Sequence, residues 1–199
     1  MTINRLESIY LRANGIDDKG MERICENLKN SNVKCLDLSM NCFTADSITF
    51  LADAIKENAA LEYLGLAYLK LTFTDFKPLL DEFGSFNIEP EELNELKQKI
   101  KERDAIVAKN ARSKGKKIEP VPNLPSIVQG KEGNELVLKN EGFKQLNLGL
   151  NNINESELEE IDKVLARTPS TFTLILTGTH ITQENAKSLI TRYGERVVV

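Results

Sequence analysis

The chain has 199 residues, 41% of them hydrophobic and 28% charged, with a formal net charge of −4 and three cysteines. That length and apolar content suffice for one continuous core without a metal or disulfide framework, and the mild negative charge excludes attraction of the whole molecule to nucleic acid or an anionic membrane. Cys25, Cys35 and Cys42 share no C-x-x-C spacing, which points to a reducing, intracellular and cytoplasmic setting, while residues 1–20 hold no apolar run of signal-peptide length and no long apolar span follows.

In Leu6 to Leu28 the alternation at Ile9, Tyr10 and Leu11 predicts a strand. Asn14 and Ile16 mark a bend, and Gly20, Ile24 and Leu28 have the four-residue spacing of an amphipathic helix. Asn suits the bend because its side chain can satisfy backbone groups that neither element pairs. The same offsets return around Asn41, with Val33, Leu36, Leu38, Phe43, Leu51 and Ile55, and around Leu69, with Leu61, Leu64, Leu66, Leu71, Leu79 and Phe83. Asn14 to Asn41 is 27 residues and Asn41 to Leu69 is 28. Residues 1–84 are therefore expected to form three repeats, the third with a helix ending near Phe83 and Gly84. The first strand begins almost at once. Either the chain is part of a longer array, or another protein covers this edge, or the first few residues and a polar helix face suffice.

The spacing then fails. Centring it on Leu96 or Leu124 puts Glu91, Gln98, Lys116, Glu119 and Ser126 in apolar slots, so residues 85–142 are expected to be an insertion. Glu89 to Arg112 predicts a charged helix with Pro90 in its first turn and a narrow stripe of Leu93, Leu96, Ile100 and Val107. Its acidic start and basic end follow the helix dipole. Prolines from Ile118 to Ile127 impose an extended course, and the runs around Gly130 and Gly133 are expected to pair as a hairpin. Residues 143–199 resume the repeat around Asn151, with Phe143, Leu146, Leu148, Ile153, Ile161 and Leu165. A last copy is centred on Thr179, with Leu174, Leu176, Ile181 and Leu189. Val197 to Val199 suit a closing strand.

The pattern LxxLxLxxNxL, followed by a helical half at a period near 28, resembles the leucine-rich repeats of ribonuclease-inhibitor type. The resemblance implies an α/β solenoid with a curved parallel sheet on the concave face and helices on the convex face. Leu69 and Thr179 depart from it by lacking the Asn. It implies protein partners in general and no particular one.

Reactive groups do not converge in the sequence. His180 is the single histidine and lies in a bend. No GxxxxGK[ST] loop, GxSxG elbow or HExxH helix occurs, and neither a catalytic residue nor a metal or other cofactor is expected. The cysteines read as ordinary buried or half-buried thiols. A binding surface is expected instead. Between the core positions of the strands lie Tyr10, Asp37, Tyr63, Asn147 and Ile175, with Ser39, Gly65, Ala67 and Gly149 beside them. Arg12 follows the first strand, and Met40, Tyr68 and Leu150 occupy the loop position before the bend residue, where the first and last copies have Ala13 and Gly178. Tyrosines on a weakly charged face suit a protein or peptide better than a phosphate backbone. The basic run containing Lys109, Arg112, Lys116 and Lys117 is a second candidate contact, but no aromatic residue interleaves it as nucleic-acid binding would favour. The expected function is a non-enzymatic scaffold or adaptor that binds protein and not membrane, with similar repeat proteins placing it in a cytoskeletal or ciliary assembly. The alternative is a small-GTPase regulator using Arg12 as a charge-stabilising residue.

Overall fold

A computed structural model describes residues 6–112, 119, 121–130 and 133–199. Its organising row is a set of apolar residues in register across parallel strands. Ile9 of β1 (Ser8–Tyr10) aligns with Leu36 of β2 (Cys35–Asp37), and Leu36 with Leu64 of β3 (Tyr63–Gly65). Leu64 aligns with Leu146 of β7 (Gln145–Asn147), which aligns with Leu174 of β8 (Thr173–Ile175), and Val197 of β9 (Val197–Val198) closes the row. From Leu36 onward every member is buried. Each full burial of a Leu contributes about 1.5–3 kcal/mol, which outweighs the weak pairing of three-residue strands. The sheet runs unbroken from β3 to β7 although 82 residues separate Tyr63 from Gln145.

Helices α1 (Asp18–Leu28), α2 (Ala45–Glu57), α5 (Leu158–Arg167) and α6 (Gln183–Tyr193) cover one side of this sheet. Neighbouring repeats supply each other's caps. Asp18 accepts from the Thr44 N–H at the start of α2 and from the Ser47 hydroxyl, and these bonds, Ser47's first, hold its carboxyl below the usual range. Glu155 accepts in the same way from the Thr182 N–H ahead of α6. At the other helix ends, Asn58 donates to Leu28 O at 2.6 Å and Arg196 to Leu165 O at 2.7 Å, satisfying terminal carbonyls that lack an intrahelical partner.

The third repeat departs from expectation. In place of a helix reaching Phe83 it has a 3-10 turn, Thr74–Phe76, and a single helical turn, α3 (Lys77–Leu80). Phe73, Phe76, Leu79 and Leu80 are all buried, so large side chains fill within a short span the space that α2 fills with a longer helix. Gly84 then bends the chain at φ +102, where an added Cβ would lie 2.7 Å from Arg167 O. It does not merely end a helix. It opens β4 (Gly84–Asn87), a strand that straddles the expected boundary of the insertion.

β4 pairs antiparallel with β6 (Glu135–Lys139), which also pairs with β5 (Ser126–Gln129). The long helix α4 (Pro90–Arg112) buries Leu96, while Val107 on the same stripe is exposed. Leu96, Val137 and Leu138 are buried outside the main core cluster. The segment is tied to the array near its C-terminal end, where Lys139 and Asn140 donate to Asp81 O and Glu82 O, and partway along, where Asn123 donates to Asn58 O. Phe86 lies between the Lys139 ammonium and the Arg167 guanidinium, 4.9 and 4.8 Å from its ring centre. Beneath these contacts Phe83 stacks on Phe143 at 4.3 Å and joins repeat three to repeat four.

Candidate functional site

The site grows from an Asn ladder at the bends. Asn41 accepts through Oδ1 from the N–H groups of Asn14 and Ile16 in the preceding repeat, at 3.1 and 3.0 Å, and donates to Leu11 O and Leu38 O. Asn151 repeats this with Leu69 and Leu71 as donors and Leu66 O and Leu148 O as acceptors. Thr179 makes a reduced version, its hydroxyl donating to Leu176 O.

Just before each ladder position the backbone is left-handed. Ala13, Met40, Tyr68 and Leu150 have φ of 57, 60, 57 and 58°, and Gly178 has 73°. Side chains rarely adopt this region. It is held because the N–H groups of Ala13, Met40, Tyr68 and Leu150 donate to Ser39 O, Ala67 O, Gly149 O and Thr177 O of the next repeat. The constraint turns large apolar side chains into solvent: Met40 is 38% exposed, Tyr68 48% and Leu150 50%. Gly178 leaves room for Leu150, whose Cδ2 would be 2.6 Å from a Cβ there. The sequence singled out these residues by register, and Gly178 in the same register was the available signal for the left-handed conformation.

Behind this edge lies the open face of the sheet. Tyr10 is 69% exposed, and its hydroxyl lies 3.7 Å from the Cys35 sulfur, a contact that favours the protonated phenol and raises it above its ordinary range. Asp37 and Asn147 are half-buried, each accepting at 3.0 Å from the N–H two residues on, Ser39 and Gly149. Between them is Gly65, where a Cβ would lie 3.1 Å from the Tyr63 hydroxyl and strike the Asp37 carboxylate. Tyr63 and Ile175 are half-buried. Ser39, Gly65, Ala67 and Gly149 are buried, so they form the floor of the face and not its contact atoms.

Arg12 is exposed and forms no ion pair with a described residue. Lys109 and Arg112 are exposed at the end of α4, where Lys109 pairs with Glu119. Lys116 and Lys117 lie outside the described residues. Cys25 is buried, which pushes its thiol up to about 12, whereas Cys42 is exposed and corrects the expectation of three covered thiols. Among the described residues no three His, Cys, Asp or Glu side chains gather where a metal could sit, and no helix is long and apolar enough to cross a membrane.

A family model described as "Leucine Rich repeat" matches residues 4–25 and 29–52. No curated protein matches the sequence. A solved structure titled "Leiomodin-1 Actin-Binding Site 2 (ABS2)" is similar with a TM-score of 0.58 and 13% identity, over 98% of this chain and 82% of that chain. At that identity the likeness is one of fold. The chain carries leucine-rich repeats and has the α/β solenoid fold that goes with them, a fold that suggests protein–protein interaction.

Proposed function

We propose that this leucine-rich-repeat solenoid is a non-enzymatic scaffold whose protein partner seats on the open sheet face and on the loop edge beside it. The observation that carries the reading is the row of Met40, Tyr68 and Leu150, large apolar side chains held exposed in a backbone conformation that costs free energy. Tyr10 extends the apolar surface on the sheet face, and Asp37 and Asn147 supply polar contacts between. Aromatic and apolar anchors with few charges are the composition of a protein interface. The inserted segment 85–142 is an appendage that serves recognition, in keeping with its separate small core and its anchoring through side chains to array carbonyls.

Actin is the first partner to test, since the similar solved structure is an actin-binding site by its title. A cytoskeletal role follows if it binds. In a titration of labelled actin, the intact chain is expected to bind saturably, and a Tyr10→Ala, Tyr68→Ala, Leu150→Ala variant to bind at least about tenfold more weakly. Replacing residues 86–140 by a short Gly/Ser linker should leave a cooperative melt, because Phe83 and Phe143 already stack at 4.3 Å, while weakening binding. Failure of the intact chain to bind removes actin and the cytoskeletal reading. An unfolded linker variant removes the appendage reading.

A further inference from the structure

We propose that Asn14 is a modification site, at which the chain deamidates without an enzyme through a cyclic imide, and that the isoaspartyl product frees the first bend from repeat two. Asn14 and Gly15 are the one Asn-Gly pair in the sequence, and both are exposed. The reaction needs an unburied carboxamide and, on the next residue, a backbone nitrogen that can lose its proton and reach it. Glycine has no Cβ to obstruct that approach, and nothing lies within 4 Å of where a Cβ on Gly15 would be. Elsewhere in the ladder both groups are committed. The Asn41 and Asn151 carboxamides are buried and hold backbone groups of the preceding repeat, and the N–H groups that follow them, of Cys42 and Asn152, donate to Ile16 O and Leu71 O. Repeat one has no preceding bend among the described residues. The Asn14 amide therefore holds only Arg12 O, at 3.0 Å, and the Gly15 N–H bonds to no described residue. Lys70, in the same register, also makes no such bond and turns to φ +65, but it follows Leu69, which has no carboxamide to lose.

Hydroxide from the solvent takes the Gly15 amide proton, and the nitrogen attacks Asn14 Cγ. An N–Cγ bond forms, the Cγ–Nδ2 bond breaks, and Nδ2 leaves as ammonia with a proton from water. Water then opens the imide. Breaking the new N–Cγ bond leaves aspartate, whereas breaking the original peptide bond leaves isoaspartate, whose main chain runs through Cβ and Cγ. The balance is one water consumed and one ammonia released, with no change of oxidation state. The isoaspartyl main chain is longer by a methylene between the N–H groups of residues 14 and 16. Those two groups converge on Asn41 Oδ1 at 3.1 and 3.0 Å, so the lengthened bend cannot keep both bonds in their present register.

The test is ageing of the intact chain in mildly alkaline, reducing buffer, followed by peptide mapping in a mass spectrometer, with electron-transfer fragmentation to tell isoaspartate from aspartate. Asn14 is expected to convert at least about tenfold faster than Asn41 or Asn151. Cys42→Gly separates the ladder from the sequence, because it gives Asn41 the same glycine neighbour at an exposed position. The buried Asn41 carboxamide and the N–H bonded to Ile16 O should still keep that site at least about tenfold slower than Asn14. The isoaspartyl fraction of the aged chain should melt about 2–4 °C below the fresh chain. Asn14→Asp, which carries the acid on a main chain of ordinary length, should melt like the fresh chain. Conversion of Asn14 no faster than that of Asn41, or equal conversion of the two in Cys42→Gly, overturns the site. An isoaspartyl fraction that melts with the fresh chain overturns the freeing of the bend.

Discussion

Leu38→Asp is expected to abolish the cooperative thermal melt. Leu38 is fully buried just after β2, in contact with a core that runs continuously through the repeats. Substitution exchanges apolar burial for a carboxyl group with no partner in reach. The lost Leu burial alone is about 2–5 kcal/mol, and desolvating the acid adds about 1–3 kcal/mol even when it takes up a proton. Their sum rivals the roughly 5–15 kcal/mol that stabilises a domain. Because each repeat in a solenoid leans on its neighbours, the damage spreads through both flanking interfaces. Leu148→Asp, equally buried in repeat four, should behave alike. Circular dichroism during heating checks both, and a wild-type melt for either variant contradicts the core assignment.

Asn151→Ala is the second large effect, and its contrast with Asn14→Ala separates ladder bonding from the mere presence of Asn. Asn151 is 1% exposed and bonds to two N–H groups and three carbonyls, among them Leu66 O and Leu148 O at 2.9 Å each. Its removal strands the donors of Leu69 and Leu71 in the interior. Each buried group left unpaired costs about 1–3 kcal/mol, so a loss of about 3–5 kcal/mol is expected. Asn14 is exposed and its side chain holds only Arg12 O. Its truncation should cost less than about 1 kcal/mol. Urea unfolding of the two variants gives the comparison directly, and equal losses would refute the account of the ladder.

The repeat core was legible because it rests on residue spacing. Leu36, Leu64, Leu146 and Leu174 share one register and one burial, and the same ruler predicts both. The helix from Pro90 to Arg112 was legible from its local charge order and stripe. The short third helix was not, since Phe73 and Phe76 fill space in a way that apolar counting treats like any other slot. β4 was missed because a four-residue strand containing Gly and Asn carries little local signal, and its partner β6 is about fifty residues on. In the candidate site, Tyr10, Met40, Tyr68 and Leu150 were found by register alone. Their left-handed backbone depends on carbonyls of the following repeat, which no local window contains. Leu69 was visible as a departure from the pattern, but its effect on Lys70 and the neighbouring bend is a matter of hydrogen bonds between repeats.

The measurement that tests the central claim most directly is quantitative recovery of native complexes with the intact chain and with the Tyr10→Ala, Tyr68→Ala, Leu150→Ala variant, alongside a melt of each. These three side chains are 69%, 48% and 50% exposed, so their truncation should leave the melting temperature nearly unchanged. The account predicts a protein that the intact chain retains and the equally folded variant loses. Retention of the same proteins in the same amounts by both chains would contradict it.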